Sequence, residues 1–239
     1  MLAPEADKKG QPMTEQSAPK DNRELREEII DACLYLSKLG FCIGTWGNVS
    51  VRVQEGFIIT PSAVNYDLLQ PNDLVLVSME GERIKGSKPP SSEMQLHRKL
   101  FINRPEFGAI VHTHSPYASS VAAAHHTIPV SVEDMAQLIG GEVRCTPYIS
   151  SADHEGLANA AWETMGHDSA AVLLANHGPV VGGRTLAETV IAAQVLEKAA
   201  MMYIHANLLG CCISIPADGV KEERYRFLYK YGRDTGVGE

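Results

Sequence analysis

Residues 108–118 read GAIVHTHSPYA, an apolar run that ends in two histidines with one threonine between them. Side chains two apart on an extended strand point the same way, so His112 and His114 can reach one point together. Neutral imidazole is the commonest metal ligand, and a catalytic zinc typically takes three protein ligands and keeps a position open. A third candidate is His177 in LLANHGPVV, again at the end of an apolar run, with Gly178 to let the backbone turn. Three imidazoles at strand ends are costly to bury without a partner, which favours one shared divalent ion.

The remaining histidines have plainer readings. His125 and His126 stand at a helix end, where imidazole suits the dipole, His154 and His167 flank a helix, and His205 lies inside one. His97 follows Glu93 by four residues, so the two share a helix face and a Glu/His pair of this spacing can bind metal. The strand-end histidines make the better ligand set, so Glu93 is read as functional and His97 as structural.

A carboxylate beside a metal serves as a fourth ligand or as a general base. Glu93 is preceded by PPSS, and serine hydroxyls together with helix N-terminal amides form an anion site suited to phosphate. The loop GTWGNVS adds Thr45, Asn48 and Ser50, and TPS adds Ser62; each alone serves equally well as a turn or cap residue.

These residues need elements to hold them. Leu25, Ile29, Ile30, Cys33, Leu34 and Leu36 recur at helical spacing before Gly40 and predict an amphipathic first helix. TWGNVSVRVQEGFIITPS reads as a hairpin and DLVLVSMEG as the next strand. A helix begins near Ser91 or Ser92 and stops before Pro105. Further helices are predicted over SPYASSVAAAHH, EDMAQLIGG and HEGLANAAWETMG, and two strands over SAAVLLANHGPVVGG. Thr185 caps a long last helix, with Glu188 completing a capping box. Strands joined by hairpins and by Ala-rich helices predict a three-layer α/β/α sandwich around a mixed sheet. There is no GxGxxG after a strand and no GxxxxGK[ST], which removes two nucleotide-binding readings.

The 239-residue chain carries a net charge of −8 with scattered basic residues, so nucleic acid is not expected as a partner. No apolar run approaches the roughly 20 residues of a membrane span, and the N-terminus lacks the apolar centre of a secretion signal. Residues 1–20 are read as a disordered polar tail, with Met13 as an alternative start, before a single domain over 21–239. Five cysteines, odd in number and with no CxxC, fit reduced thiols in a cytoplasm.

GTWGNVSVR, IITPS, KPPSSEMQLH, VHTHS, CTPY and NHG, in this order, resemble the class II aldolase/adducin family, which includes fuculose-phosphate aldolase and ribulose-phosphate 4-epimerase. The resemblance runs from about residue 21 to the C-terminus. It implies an α/β/α sandwich with a mostly antiparallel sheet, assembled as a C4 homotetramer with active sites between subunits. It further implies that His112, His114 and His177 bind a divalent metal, zinc or else manganese or cobalt, with Glu93 as ligand and proton carrier. Thr45, Asn48, Ser62, Ser91 and Ser92 fall where the aldolases hold phosphate. Tyr231 in YKYGRD matches a tyrosine that reaches a neighbouring subunit's site and gives a proton to the aldehyde oxygen.

The implied reaction is cleavage of a fuculose-1-phosphate-like ketose 1-phosphate, by an enediolate mechanism, to dihydroxyacetone phosphate and an aldehyde. Epimerisation, dehydration or decarboxylation of a sugar phosphate on the same metal site is the alternative, and a non-catalytic adducin-like binding module a further one. Two departures stand out. Ala63 replaces the glycine of the family's TPTG-like loop, and VSVEDM places Glu133 and Asp134 where an aromatic residue would line the aldehyde pocket.

Overall fold

The computed structural model describes residues 18, 19 and 21–231. Two residues of the expected tail are docked: Ala18 is buried, and the Pro19 carbonyl accepts from the Gln54 amide at 3.1 Å. The rest of 1–20, Met13 included, lies outside the described residues, as do 232–239.

Seven strands form one sheet: β1 (Asn48–Val53), β2 (Gly56–Ile59), β3 (Val75–Val77), β4 (Arg83–Lys85), β5 (Ala109–His112), β6 (Ala171–Leu174) and β7 (Gly178–Gly183). Their order is β4-β3-β2-β1-β5-β7-β6, with every neighbouring pair antiparallel. Among the described residues the one parallel pairing is an isolated bridge between Cys145 and Leu173. The reading of DLVLVSMEG as one strand missed that the chain turns back after β3 into an exposed β4.

The sheet is covered on both faces. Helices α1 (Arg23–Lys38), α3 (Pro116–Ala123), α4 (Glu133–Leu138) and α6 (Leu186–Leu208) share a core with Val49, Val51, Val111, Leu173 and Val181. On the other face α2 (Met94–Asn103) and α5 (His154–Met165) pack over Phe57, Ile59, Ile110, Val172 and Val180. Alternate residues of one strand therefore serve opposite layers, as the two-residue period of a strand requires. A final helix, α7 (Ala217–Tyr229), buries none of its residues fully.

Capping follows sequence chemistry. Asn22 accepts from the Leu25 amide at 2.8 Å to open α1, and Thr185 accepts from the Glu188 amide at 3.2 Å to open α6. Glu188 turns back to the Arg184 amide and guanidinium, one residue before the partner a capping box would use. Among the described residues no helix is long and apolar enough to cross a membrane.

Candidate metal centre

The end of β5, the turn from β6 to β7 and the start of α2 converge on one point. His112 ends β5, His114 lies two residues further, and His177 sits in the turn before β7. Their ligand atoms lie within 4.8 Å of one another, and the three rings meet edge to face with centroids 4.8–4.9 Å apart. Gly178 makes the approach possible: a Cβ there would stand 2.3 Å from the Thr113 carbonyl oxygen. Its value lies in this close passage of two backbone segments, whereas the left-handed turn falls on Asn176, with φ of 56°. Asparagine tolerates that region better than most residues.

Each histidine has a support. The His112 Nδ1–H donates to the Pro179 carbonyl at 2.9 Å, which leaves the Nε2 lone pair facing the cluster. The His114 amide donates to the Phe41 carbonyl at 2.8 Å, and the exposed Trp46 ring lies parallel to the imidazole with centroids 6.5 Å apart. Just beyond His114, the buried carboxylate of Glu197 on α6 accepts from the Tyr117 and Ala118 amides at 2.7 and 2.8 Å. Beside His177, the Asn176 side-chain oxygen Oδ1 accepts from His125 Nε2 at 2.6 Å.

Glu93 completes the set. As N-cap of α2 it is buried, with Oε2 3.3 Å from His112 Nε2 and Oε1 3.3 Å from His177 Nε2. His112 Nε2 and His114 Nε2 are 3.1 Å apart. Ligand atoms held about 2.0–2.1 Å from a tetrahedral zinc stand about 3.3 Å from each other, so these separations fit a shared divalent ion.

Burial works to raise the pKa of Glu93, but the His112 and His177 imidazoles, the Asn48 amide and His97 outweigh it and take it down to about 2. Burial and the neighbouring imidazoles lower His114 to about 3 and His177 to about 4, against the opposing pull of Glu93. Neutral rings beside an ionised carboxylate are the donor set that a divalent cation needs.

Asn48, expected at the phosphate, also reaches Glu93. It stands opposite His112 in the β1–β5 register, is buried, and donates from Nδ2 to Glu93 Oε2 at 2.7 Å. His97, read as merely structural, is fully buried and reaches the other end of the same amide, Nε2 to Asn48 Oδ1, at 2.5 Å. Its spacing from Glu93 was a usable signal once paired with the two-residue spacing of Asn48 and Ser50.

Ser62 and Ser91 come together because the two segments pair: Pro61 bridges Pro90, Ser62 donates its amide to the Pro89 carbonyl, and Ser91 donates to Thr60, each at 3.0 Å. Ser92 and Thr45 are exposed. Ala63 takes the left-handed conformation that glycine adopts freely, with φ of 56°, so the missing glycine leaves the turn intact at a cost of about 1–2 kcal/mol.

Three expected residues stand apart. Glu133 and Asp134 occupy the first turn of α4, and Asp134 pairs with Lys198 on α6. The open groove they line with Ser131, Val132, Gln137, Lys198 and Ile215 includes none of the cluster histidines. Tyr231 follows α7, is 74% exposed and sets its ring at a tilt to that of Phe227, with centroids 6.0 Å apart; among the described residues no hydrogen bond or ring contact joins it to the cluster within one chain. All five cysteines are free, and burial holds Cys33 well up and Cys42 up to about 12.

Residues 27–204 match the family model described as "Class II Aldolase and Adducin N-terminal domain". The chain belongs to the class II aldolase and adducin family. It is 35% identical over 204 residues to a 5-deoxy-D-ribulose 1-phosphate aldolase of Bacillus thuringiensis serovar kurstaki, covering 84% of this chain and 94% of that one. It is 36% identical over 194 residues to an L-fuculose phosphate aldolase of Haemophilus influenzae, covering 81% and 87%. A solved L-fuculose 1-phosphate aldolase superposes with a TM-score of 0.83 at 28% identity, covering 87% of this chain and 98% of the other. These class II aldolases are lyases, and the chain carries the family's enzyme fold together with a metal-compatible donor set.

Proposed function

We propose that this protein cleaves a ketose 1-phosphate to dihydroxyacetone phosphate and an aldehyde, with zinc or another divalent ion held by His112, His114 and His177. The observation that carries this reading is Glu93, an ionised carboxylate buried against two imidazoles at 3.3 Å on each oxygen. The bound ion supplies positive charge that polarises a carbonyl and offsets negative charge developing on oxygen. Glu93 moves the proton at carbon, removing one in the condensation direction and returning one in cleavage. Thr45, Ser62, Ser91 and Ser92, around the start of α2, bind the phosphate, where short hydroxyls and helix amides suit an anion.

Tyr231 carries the proton for the aldehyde oxygen from a neighbouring subunit of a C4 tetramer. Its exposure, and that of Leu208, Leu209 and Ile213 at 79%, 91% and 79%, supports such an assembly. The test is a panel of L-fuculose 1-phosphate, 5-deoxy-D-ribulose 1-phosphate and a ribulose 5-phosphate with added zinc or manganese. Release of dihydroxyacetone phosphate from a ketose 1-phosphate is expected. Conversion of the 5-phosphate to its epimer with no triose phosphate from either ketose 1-phosphate would replace cleavage by epimerisation.

A further inference from the structure

Four buried or nearly buried polar side chains form a ladder between β1 and α2. Asn48 and Ser50 are two apart on the strand and so share its face; Glu93 and His97 are four apart at the start of the helix and share its face. The rungs are Asn48 Nδ2 to Glu93 Oε2 at 2.7 Å, His97 Nε2 to Asn48 Oδ1 at 2.5 Å and Ser50 Oγ to His97 Nδ1 at 2.6 Å. Ser50 and His97 are each 0% exposed, so water does not substitute for a lost rung.

The direction of every bond follows from the acceptor at one end. An ionised carboxylate only accepts, so Asn48 must turn its NH₂ to Glu93 and its carbonyl to the ring. That carbonyl only accepts, so His97 must carry its proton on Nε2. A second ring proton would make a cation in a site closed to water, so Nδ1 keeps its lone pair and accepts from the Ser50 hydroxyl.

We propose that His97 is a positioning residue for Glu93: its Nε2–H locks the Asn48 amide in the orientation that donates to the carboxylate. Without that donor the Asn48 amide can rotate and present its carbonyl to Glu93, and two facing acceptors lose the bond that orients the carboxylate. The ring of His97 hydrogen-bonds to Asn48 and Ser50, and its effect reaches the reaction through one amide. The inference rests on the reading of Glu93 as proton carrier.

The first measurement needs no substitution. Ring ¹⁵N NMR of the ¹⁵N-histidine-labelled full-length protein, with and without bound zinc, is expected to show His97 as the neutral Nε2–H tautomer from pH 6 to 8. An Nδ1–H tautomer or a doubly protonated ring overturns the proposal. The second compares His97→Phe, with His97→Leu as the smaller apolar replacement, against His97→Gln, whose amide can still donate to Asn48. In the apolar variants kcat falls about 10- to 100-fold with KM within about threefold. His97→Gln restores most of the lost kcat.

A folded apolar variant with wild-type kcat, or a His97→Gln variant no more active than the apolar ones, overturns the proposal, since loss of packing alone is not rescued by an amide donor. If neither apolar variant folds, the wild-type ring signals decide. Failure of the proton-carrier reading looks different: Glu93→Gln would turn over normally, whatever tautomer His97 shows.

Discussion

Two short helices open on acids and put them to different uses. α2 begins at Glu93, and α4 begins with Glu133 and Asp134, so all three carboxylates stand in the favourable field of a helix N-terminus. Glu93 is buried against His112, His177 and Asn48, whereas Glu133 is exposed and Asp134 spends its charge on Lys198 and the Met135 amide. The helix end is common to both places, so it cannot be what makes a site. What differs is the neighbour: α2 starts beside the ends of β1 and β5, while α4 starts beside α6 and an open groove. A carboxylate becomes chemically useful where strand ends supply nitrogen donors and exclude water.

The hardest test of that contrast removes the nitrogens. The His112→Ala/His114→Ala double variant is expected to lose bound zinc in elemental analysis and all turnover with it; a variant that keeps wild-type metal content would remove the cluster from the account. Next comes Glu93→Gln, isosteric and still able to coordinate through oxygen. It is expected to keep its metal and fold while kcat drops by about 10²–10⁴. Near-normal kcat would show that burial of this carboxylate has no bearing on proton transfer.

A pH titration of the metal-free protein separates the two helix ends by their charge states. His97 and His114 are lowered to about 3 and His177 to about 4 from 6.5, so the unfolded chain binds protons that the folded one refuses. Stability is therefore full above about pH 6.5 and falls as the pH drops towards 4. Glu93, lowered to about 2 from 4.5, adds a loss of the same sign at still lower pH. Denaturant midpoints measured from pH 7 to 4 should decline in the wild type and in Glu133→Gln/Asp134→Asn alike; a flat curve in the wild type contradicts the burial of neutral rings. The smallest effect is that double variant itself. It should lose about 0.3–1 kcal/mol at pH 7 from the helix-end charges and the partly exposed pair with Lys198. The ranking of aldehydes by kcat/KM should stay unchanged, and a reordered ranking would bring α4 back into the substrate pocket.

Much of the centre is legible in the chain because its signals are local. An HxH at the end of an apolar run, a histidine in a tight turn and a glutamate after PPSS each announce themselves within a few residues. The role of Asn48 is not local: it depends on the β1–β5 register that sets it opposite His112, and on a helix that returns 45 residues later to place Glu93 against it. The partners of His97 are not local either, since Asn48 and Ser50 lie on another element. α7 was missed because ADGVKEERYRFLY buries nothing fully and offers no apolar stripe, and β4 because three exposed residues give no alternation to read. Gly178 was noticed for the wrong property, as its task is clearance from Thr113.

The grip of Glu197 on the amides of Tyr117 and Ala118 has a mechanical consequence. It ties the start of α3, just after His114, to the longest helix among the described residues by two charge-assisted bonds that meet at one buried carboxylate. Moving that segment outward would have to break two hydrogen bonds at one carboxylate, so the position of His114 is set in part from α6, on the opposite face of the sheet from α2.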